Sequence, residues 1–222
     1  MKTKIIIFGS SYQANVVFSE LKNFNNFKVI GFCDHDSSKN NLLNKKHKLR
    51  NLGKFEEISK KINNNIKGII GIGENRIRKK IVKECYIINK KFKWISLISK
   101  NAIIDKNVTI DEGSIILSGS VIRNDVKIGK HCLINSSCSI DHDNIISDFS
   151  SCGPGVTTGG NVFLGNSSFV GIGSTIKNSV KIDQNVFIGG HSYVNKNCKS
   201  GFLYYGNPIK KIKKISRMKS QF

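Results

Sequence analysis

The chain has 222 residues, is 39% hydrophobic and contains only two prolines, so we expect a folded protein of one large or two modest domains. No stretch approaches the roughly 20 apolar residues that a membrane span needs. The apolar part of MKTKIIIFGSS is too short for a signal peptide, and we therefore expect a cytoplasmic protein.

The formal net charge of +21 raises the question of an anionic partner. Nucleic acid and an anionic membrane surface are possible partners, but the lysines are spread along the chain, which favours solvated faces. A substrate carrying several phosphates would also be attracted by a basic cleft. The six cysteines include no CxxC pair, so neither a metal site nor disulfides are expected.

Residues 1–95 show an alternation of strands and helices. Short apolar runs predict strands at 4–8, 28–32 and 68–73, and helical spacing predicts helices over about 13–23 and 74–90. A further short helix is expected near FEEISKKI. Strands that alternate with helices predict a parallel sheet, and hence a Rossmann-like α/β domain.

The predicted strand ends mark a candidate nucleotide site, because ligands of parallel sheets bind at the carboxyl ends of the strands. Free N–H groups at the start of the first helix favour phosphate, and an acid after the second strand suits a ribose hydroxyl. The first turn reads GSSYQA rather than GxGxxG, which is a weak dinucleotide signal. The domain is also short for a full dinucleotide fold, and a single mononucleotide half suits a nucleotide sugar better than NAD. The candidate binding residues are Ser11, Tyr12, Gln13, Asp34 and Gly73.

From residue 98 the sequence repeats with a period of six. Seventeen successive positions from Ile98 to Val194 hold an aliphatic residue, with Cys152 and Thr158 as the two exceptions. A companion series of Val or small residues runs two positions earlier in the hexads. A period of six fits neither an α-helix nor a plain strand, and it predicts a parallel β-helix with three hexads per coil and about five coils.

Hexads of this kind resemble those of the left-handed β-helix acyltransferases. With the α/β domain in front, the whole chain is similar to the nucleotide-sugar acetyltransferases of the bacillosamine pathway (UDP-4-amino-sugar N-acetyltransferases) and to the sialic acid O-acetyltransferases. The resemblance rests on IIIFGSSYQA, FCDHD, GIGENRIRKKI, SIDHDNIISDFS and YYGNPIKKI. It implies a homotrimer with active sites between subunits, acetyl-CoA as co-substrate and no metal. The expected domains are a nucleotide-sugar-binding domain (1–95), a left-handed β-helix (96–205) and a basic C-terminal tail (206–222).

The resemblance makes His142 the general base, with Asp143 as the acid beside it. An amine must lose a proton as it attacks the thioester, and imidazole can accept that proton at neutral pH. A carboxylate on the other ring nitrogen would fix the tautomer. Asp143 is our choice for this carboxylate, although Asp141 is also near.

Further positions follow from the same resemblance. His35 joins the nucleotide site, where the family usually has an acid, and Tyr12 stands where glycine is common. The acetyl-CoA site is expected at Ser151, Ile172 and Gly190. Ser151 stands where the family often has a second histidine near the acetyl carbonyl. His131 and His191 fall outside the inward-facing series and are expected at the surface or at an interface.

The resemblance thus implies acetyl transfer from acetyl-CoA to the amino group of a nucleotide-linked 4-amino-4,6-dideoxy sugar, with UDP as the expected nucleotide. O-acetylation of a sialic-acid-like sugar needs the same base and remains an alternative. A non-catalytic β-helix scaffold or nucleic-acid-binding protein is the alternative from another class. The missing GxGxxG disfavours a nicotinamide oxidoreductase.

Overall fold

A computed structural model describes residues 2–34, 42–55, 57–58 and 65–215. The chain divides into two compact units, with the division after Leu97. We had expected the boundary at residue 95. Within the described ranges, no helix combines the length and apolarity that a membrane crossing requires.

The first unit is the predicted α/β domain, with a parallel sheet in the order β2-β1-β3. Helix α2 was not among the predicted elements, and the short helix expected near FEEISKKI lies largely outside the described residues. The elements are β1 Thr3–Phe8, α1 Tyr12–Leu21, β2 Phe27–Cys33, α2 Leu42–His47, β3 Ile66–Ile70 and α3 Asn75–Ile88.

Burial explains why the apolar run KIIIF forms the central strand. Ile5 and Ile7 are fully buried, and so is Phe8, whose ring contacts the rings of Phe92 and Trp94. A strand covered on both faces shows such a continuous apolar run instead of alternation.

The second unit is a parallel β-helix of about six turns, built from two-residue strands. Successive strands fall in rotation on three faces. Face 1 comprises β4 Leu97–Ile98, β7 Ile115–Ile116, β10 Leu133–Ile134, β13 Ser151–Cys152, β16 Phe169–Val170 and β19 Phe187–Ile188. Face 2 comprises β5 Ile103–Ile104, β8 Val121–Ile122, β11 Ser139–Ile140, β14 Thr157–Thr158, β17 Thr175–Ile176 and β20 Tyr193–Val194. Face 3 comprises β6 Thr109–Ile110, β9 Lys127–Ile128, β12 Ile145–Ile146, β15 Phe163–Leu164 and β18 Lys181–Ile182.

Residues eighteen apart pair across each face, as Leu133 pairs with both Ile115 and Ser151. The predicted inward series is confirmed: its members from Ile116 to Val194 are at most 4% exposed. Cys132, Cys138 and Cys152 lie in this core as small apolar side chains, and Ser114 and Ser120 of the companion series are also buried. Stacked coils therefore share one continuous core.

Each corner of the helix uses the left-handed backbone region. From Asn107 to His191 every sixth residue has a positive φ, at positions occupied by Gly, Asn, Asp, Ser, His and one Phe. Short polar residues and glycine tolerate this conformation best. The phenylalanine, Phe149, stacks on the ring of His131 with centroids 5.2 Å apart. His131 is only 2% exposed, so our prediction of a surface or interface position was wrong for it, whereas His191 is exposed.

The helix continues beyond the regular hexads. Ile182 bridges to Cys198 and Phe187 pairs with Leu203, so the spacing falls from eighteen to sixteen residues after Val194. Strand β21 (Phe202–Tyr205) then pairs antiparallel with β22 (Lys210–Lys214). The described part of the predicted basic tail therefore includes a fully exposed strand, β22, with four lysines.

Candidate functional site

The turn between β11 and β12 carries the predicted general base. His142 Nδ1 lies 2.8 Å from Oδ2 of Asp143, and both side chains are 60% exposed. Asp143 occupies the left-handed corner position, with φ 57°. With the Nδ1 proton donated to the carboxylate, Nε2 of the imidazole is left as a proton acceptor.

The two aspartates beside His142 act on different parts of it. The hydrogen bond that the ring donates to Asp143 and the negative charge of Asp141 raise the pKa of His142 above its usual value. The carboxylate of Asp141 accepts the backbone N–H of His142 at 2.8 Å. In this geometry Asp143 contacts the ring and Asp141 contacts the main chain.

One coil further along, Gly160 lies against the imidazole. A Cβ at Gly160 would be 2.5 Å from Cε1 and 2.6 Å from Nε2 of His142. A side chain here would displace the ring, so only glycine accommodates the observed position.

Beneath the turn lies Asn144, which the sequence analysis did not single out. Its side chain is fully buried, and Nδ2 donates to the carbonyl oxygens of Asp141 (2.5 Å) and Gly159 (3.0 Å). The available signal was an asparagine at a companion position, where the series otherwise has valine, alanine, serine or cysteine.

At the carboxyl ends of β1 and β2, Ser10 Oγ donates to Oδ2 of Asp34 at 2.5 Å. Ser10 is buried, and we had not included it among the site residues. The N–H of Gly9 donates to the carbonyl of Cys33 at 2.8 Å, which holds the two loops together. The predicted acid therefore lies beside the first turn.

Helix α1 starts immediately after this turn. Ser11 is its N-cap residue without a side-chain capping bond, and Tyr12 is 79% exposed. Nε2 of Gln13 is buried and has no hydrogen-bond partner among the described residues. These groups leave donors available at a helix N-terminus, which attracts anions.

The loop after β3 is held by an arginine that sequence analysis missed. Arg78 is 2% exposed and donates to the carbonyl of Gly73 at 2.6 Å and to Oδ1 of Asn75 at 2.9 Å. The available signal was its helical spacing from the apolar Ile81, Val82 and Cys85. His35 lies outside the described residues.

The predicted acetyl-CoA residues lie elsewhere on the β-helix. Ile172 and Gly190 are one coil apart at the corner between faces 1 and 2, where Ile172 is 53% exposed and a Cβ at Gly190 would lie 3.0 Å from its Cγ2. Ser151 is buried in β13 on face 1. His142 lies at the corner between faces 2 and 3. Within one chain, His142 therefore lies beside Asp143, and Ile172 lies beside Gly190. The two pairs are on opposite edges of face 2.

Comparison with known proteins finds a family model that matches most of the first unit. Residues 4–85 match the model of the PglD N-terminal domain. No curated protein sequence gives a significant match to the chain.

Solved structures match nearly the whole chain. The acetyltransferase domain of PglB from Neisseria gonorrhoeae FA1090, in complex with acetyl coenzyme A, has TM-score 0.86 at 20% identity, covering 96% of this chain and 100% of that one. PerB from Caulobacter crescentus, in complex with CoA and GDP-perosamine, has TM-score 0.83 at 22% identity, covering 95% and 97%. WeeI from Acinetobacter baumannii AYE has TM-score 0.78 at 22% identity, covering 95% and 100%. Residues 4–85 therefore match the PglD N-terminal domain, and the chain as a whole shares the fold of these three structures.

Proposed function

We propose that the protein transfers acetyl from acetyl-CoA to the amino group of a nucleotide-linked 4-amino-4,6-dideoxy sugar, with His142 as general base. The observation that carries the proposal is the exposed His142–Asp143 pair, 2.8 Å apart, on a β-helix corner. Support comes from two relatives of the same fold, one solved with acetyl coenzyme A and one with CoA and GDP-perosamine.

The chemistry follows from the free Nε2 of His142. The sugar amine attacks the thioester carbonyl carbon and a C–N bond forms. The surplus proton of the amine nitrogen then passes to Nε2. The tetrahedral oxyanion then collapses, the C–S bond breaks, and the CoA thiolate takes the proton from the imidazolium. Asp143 holds the Nδ1 proton and stabilises the transient positive charge. No acyl-enzyme is needed in this route.

The nucleotide is assigned to the carboxyl edge of the first sheet. The N-terminus of α1, with Ser11, Tyr12 and Gln13, would hold the diphosphate, since its N–H groups and the buried Nε2 of Gln13 are donors. Asp34, fixed by Ser10, would accept a ribose hydroxyl. His35 and Gly73 complete the proposed set, and UDP is the nucleotide we favour.

Acetyl-CoA is assigned to the corner with Ile172 and Gly190, with Ser151 as a further contact. Glycines recur at this corner, among them Gly171, Gly173 and Gly189, so the ligand could approach the main chain closely. Because His142 lies on the other edge of face 2, we propose that a second copy of the chain brings its Ile172 edge beside His142, as in a homotrimer.

The test is release of CoA thiol from acetyl-CoA with a panel of UDP- and GDP-linked amino sugars, followed by mass spectrometry of the sugar. Turnover and addition of one acetyl group to a 4-amino sugar are expected. Turnover only with sialic-acid-like hydroxyl acceptors would replace the amine acceptor in the proposal. Absence of turnover with both classes, together with binding to arbitrary DNA that weakens steeply with salt, would favour the non-catalytic alternative.

A further inference from the structure

The turn at His142 is held differently from its neighbours along the same corner. One coil earlier the N–H of Arg123 donates to the carbonyl of Ile140 at 2.9 Å, and one coil later Gly159 donates to the carbonyl of Ile176 at 2.8 Å. The equivalent N–H of Asp141 donates instead to the side-chain oxygen Oγ1 of Thr158, at 3.0 Å. A threonine hydroxyl has therefore replaced a backbone carbonyl as the acceptor under the base.

Asn144 extends the role that serines have at the other companion positions. Ser150 Oγ, for example, donates to the carbonyl fifteen residues later, that of Gly165, at 2.8 Å. Asn144 Nδ2 makes the matching bond to Gly159, and Oδ1 accepts from the N–H of Val162 at 2.6 Å. The longer side chain also reaches Oγ1 of Thr158 at 2.9 Å and the carbonyl of Asp141.

Both backbone groups of Asp141 are thus bound by this pair of side chains. The N–H goes to Thr158 and the carbonyl oxygen to Asn144. Asp141 in turn accepts the N–H of His142, and the carbonyl of His142 accepts from Asn161 at 2.9 Å. The imidazole therefore stands on a main-chain segment whose polar groups are fixed at several points.

Packing alone does not require these two polar residues. Thr158 is 4% exposed and lies in the inward series between Ile140 and Ile176, where valine would fill the same space. A buried hydroxyl is costly without partners, whereas a fully bonded network makes one geometry rigid. Thr158, the one polar member of the inward series, and Asn144, the one asparagine of the companion series, meet directly beneath the candidate base.

We propose that Asn144 and Thr158 are positioning residues, which fix the Asp141–Asp143 turn and thereby hold the imidazole of His142 in its proton-accepting orientation. The inference rests on the proposed function, since it assigns a purpose to the orientation of His142. It adds two residues that act through the base without contacting the substrate.

The test begins with Thr158→Val, which keeps the side-chain volume and removes the acceptor. We expect kcat to fall about tenfold to a hundredfold, with both KM values within about twofold of wild type, because a misplaced base weakens the chemical step and not binding. Thr158→Ser should restore most of kcat. The neighbouring, exposed Thr157→Val is the matched control and should leave kcat unchanged.

If Thr158 only stabilised the fold, Thr158→Val would lower the melting temperature, and the positioning proposal does not require this. Valine matches the aliphatic pattern of the inward series, so the melting temperature of Thr158→Val should stay near the wild-type value. Should it fall sharply, Asn144→Ser is the second variant, since serine keeps the bonding pattern of the companion series but loses the bond to Asp141. A folded Thr158→Val protein with the wild-type kcat would overturn the proposal. So would a Thr158→Ser protein whose kcat falls as far as that of Thr158→Val.

Imidazole ¹⁵N NMR separates this inference from the proposed function, because it needs no turnover. The His142 resonances should report an Nδ1–H bonded to Asp143 in wild type and in Thr158→Ser, and a changed or averaged signal in Thr158→Val. If wild type shows no acetyl transfer but the NMR difference is present, the function is wrong and the positioning stands. Identical spectra in all three proteins would contradict the positioning itself.

Discussion

Gly160 and His142 are in direct contact across one coil of the β-helix, and the glycine has no room for a methyl group beside the imidazole. A Cβ there would be 2.5 Å from Cε1 of the ring. The space that lets the imidazole lie on the corner is therefore provided by a residue eighteen positions later in the chain.

Gly160→Ala should displace the imidazole. Gly160 is not among the residues with a positive φ, so its backbone can accept alanine. The added methyl group would instead clash with the imidazole ring. We expect kcat to fall about a hundredfold with KM little changed, because a shift of about 1 Å in a catalytic group has an effect of that size. Steady-state kinetics checks this, with circular dichroism to confirm folding. An alanine variant with wild-type kcat would show that the ring needs no such space.

The pH dependence should follow the raised pKa of His142. The base acts in its neutral form, so kcat/KM should increase with pH through an apparent pKa above 6.5. Asp143→Asn removes the negative charge of the hydrogen-bond acceptor that contributes most to the shift, so the rising limb should move to lower pH while the plateau falls. A pH profile unchanged in Asp143→Asn would contradict the assignment of Asp143 as the partner of the ring.

Ser10→Ala tests the nucleotide end of the molecule. The variant removes one hydrogen bond that orients the carboxylate of Asp34, the group proposed to accept a ribose hydroxyl. We expect KM for the nucleotide sugar to rise about tenfold, the effect of losing one hydrogen bond to a charged group, while kcat and the KM for acetyl-CoA stay constant. Ser19→Ala, at an exposed position of α1, is the control. If the KM for the nucleotide sugar is the same in Ser10→Ala as in Ser19→Ala, Ser10 is not part of the nucleotide site.

Subunit complementation tests the proposed site between two copies. Ile172→Glu puts a carboxylate at an exposed corner that is proposed to face the anionic CoA, and His142→Ala removes the base; each variant alone should be inactive. Mixed oligomers obtained by co-expression should regain part of the activity. At some of their interfaces the intact His142 of one chain lies beside the intact Ile172 of the other. Ile87→Glu, exposed on α3, is the folding control and should be fully active. Mixtures that remain inactive would place the whole site within one chain.

The fold was predictable because its signals are local and periodic. The hexads from Ile98 to Val194 predicted which residues point inward, and KIIIF predicted the buried central strand. The shortened coil after Val194 carried no comparable signal, since its strands pair at a spacing of sixteen and the hexad register ends there. His131 was misassigned because the period reports which residues point inward, and not which corner residues become covered.

The candidate site was predictable only where its residues adjoin in sequence. His142 and Asp143 are neighbours, and their contact followed from the resemblance and the chemistry. Gly160 and Thr158 approach the base from the next coil, and their roles emerge only when the coils are stacked. A contact between residues eighteen apart depends on the register in which the coils stack. The sequence pattern indicates this register, but it does not give the distances between side chains.

The central claim is that His142 is the base of an acetyl-CoA-dependent transfer to a nucleotide-linked amino sugar. Its most direct test is the rate of thiol release from acetyl-CoA with a UDP-linked 4-amino-4,6-dideoxy sugar, measured for wild type and for His142→Ala at the same substrate concentrations. The account predicts wild-type turnover and a loss of about a hundredfold or more in the variant, the usual contribution of a general base. Equal turnover in the two proteins would contradict it.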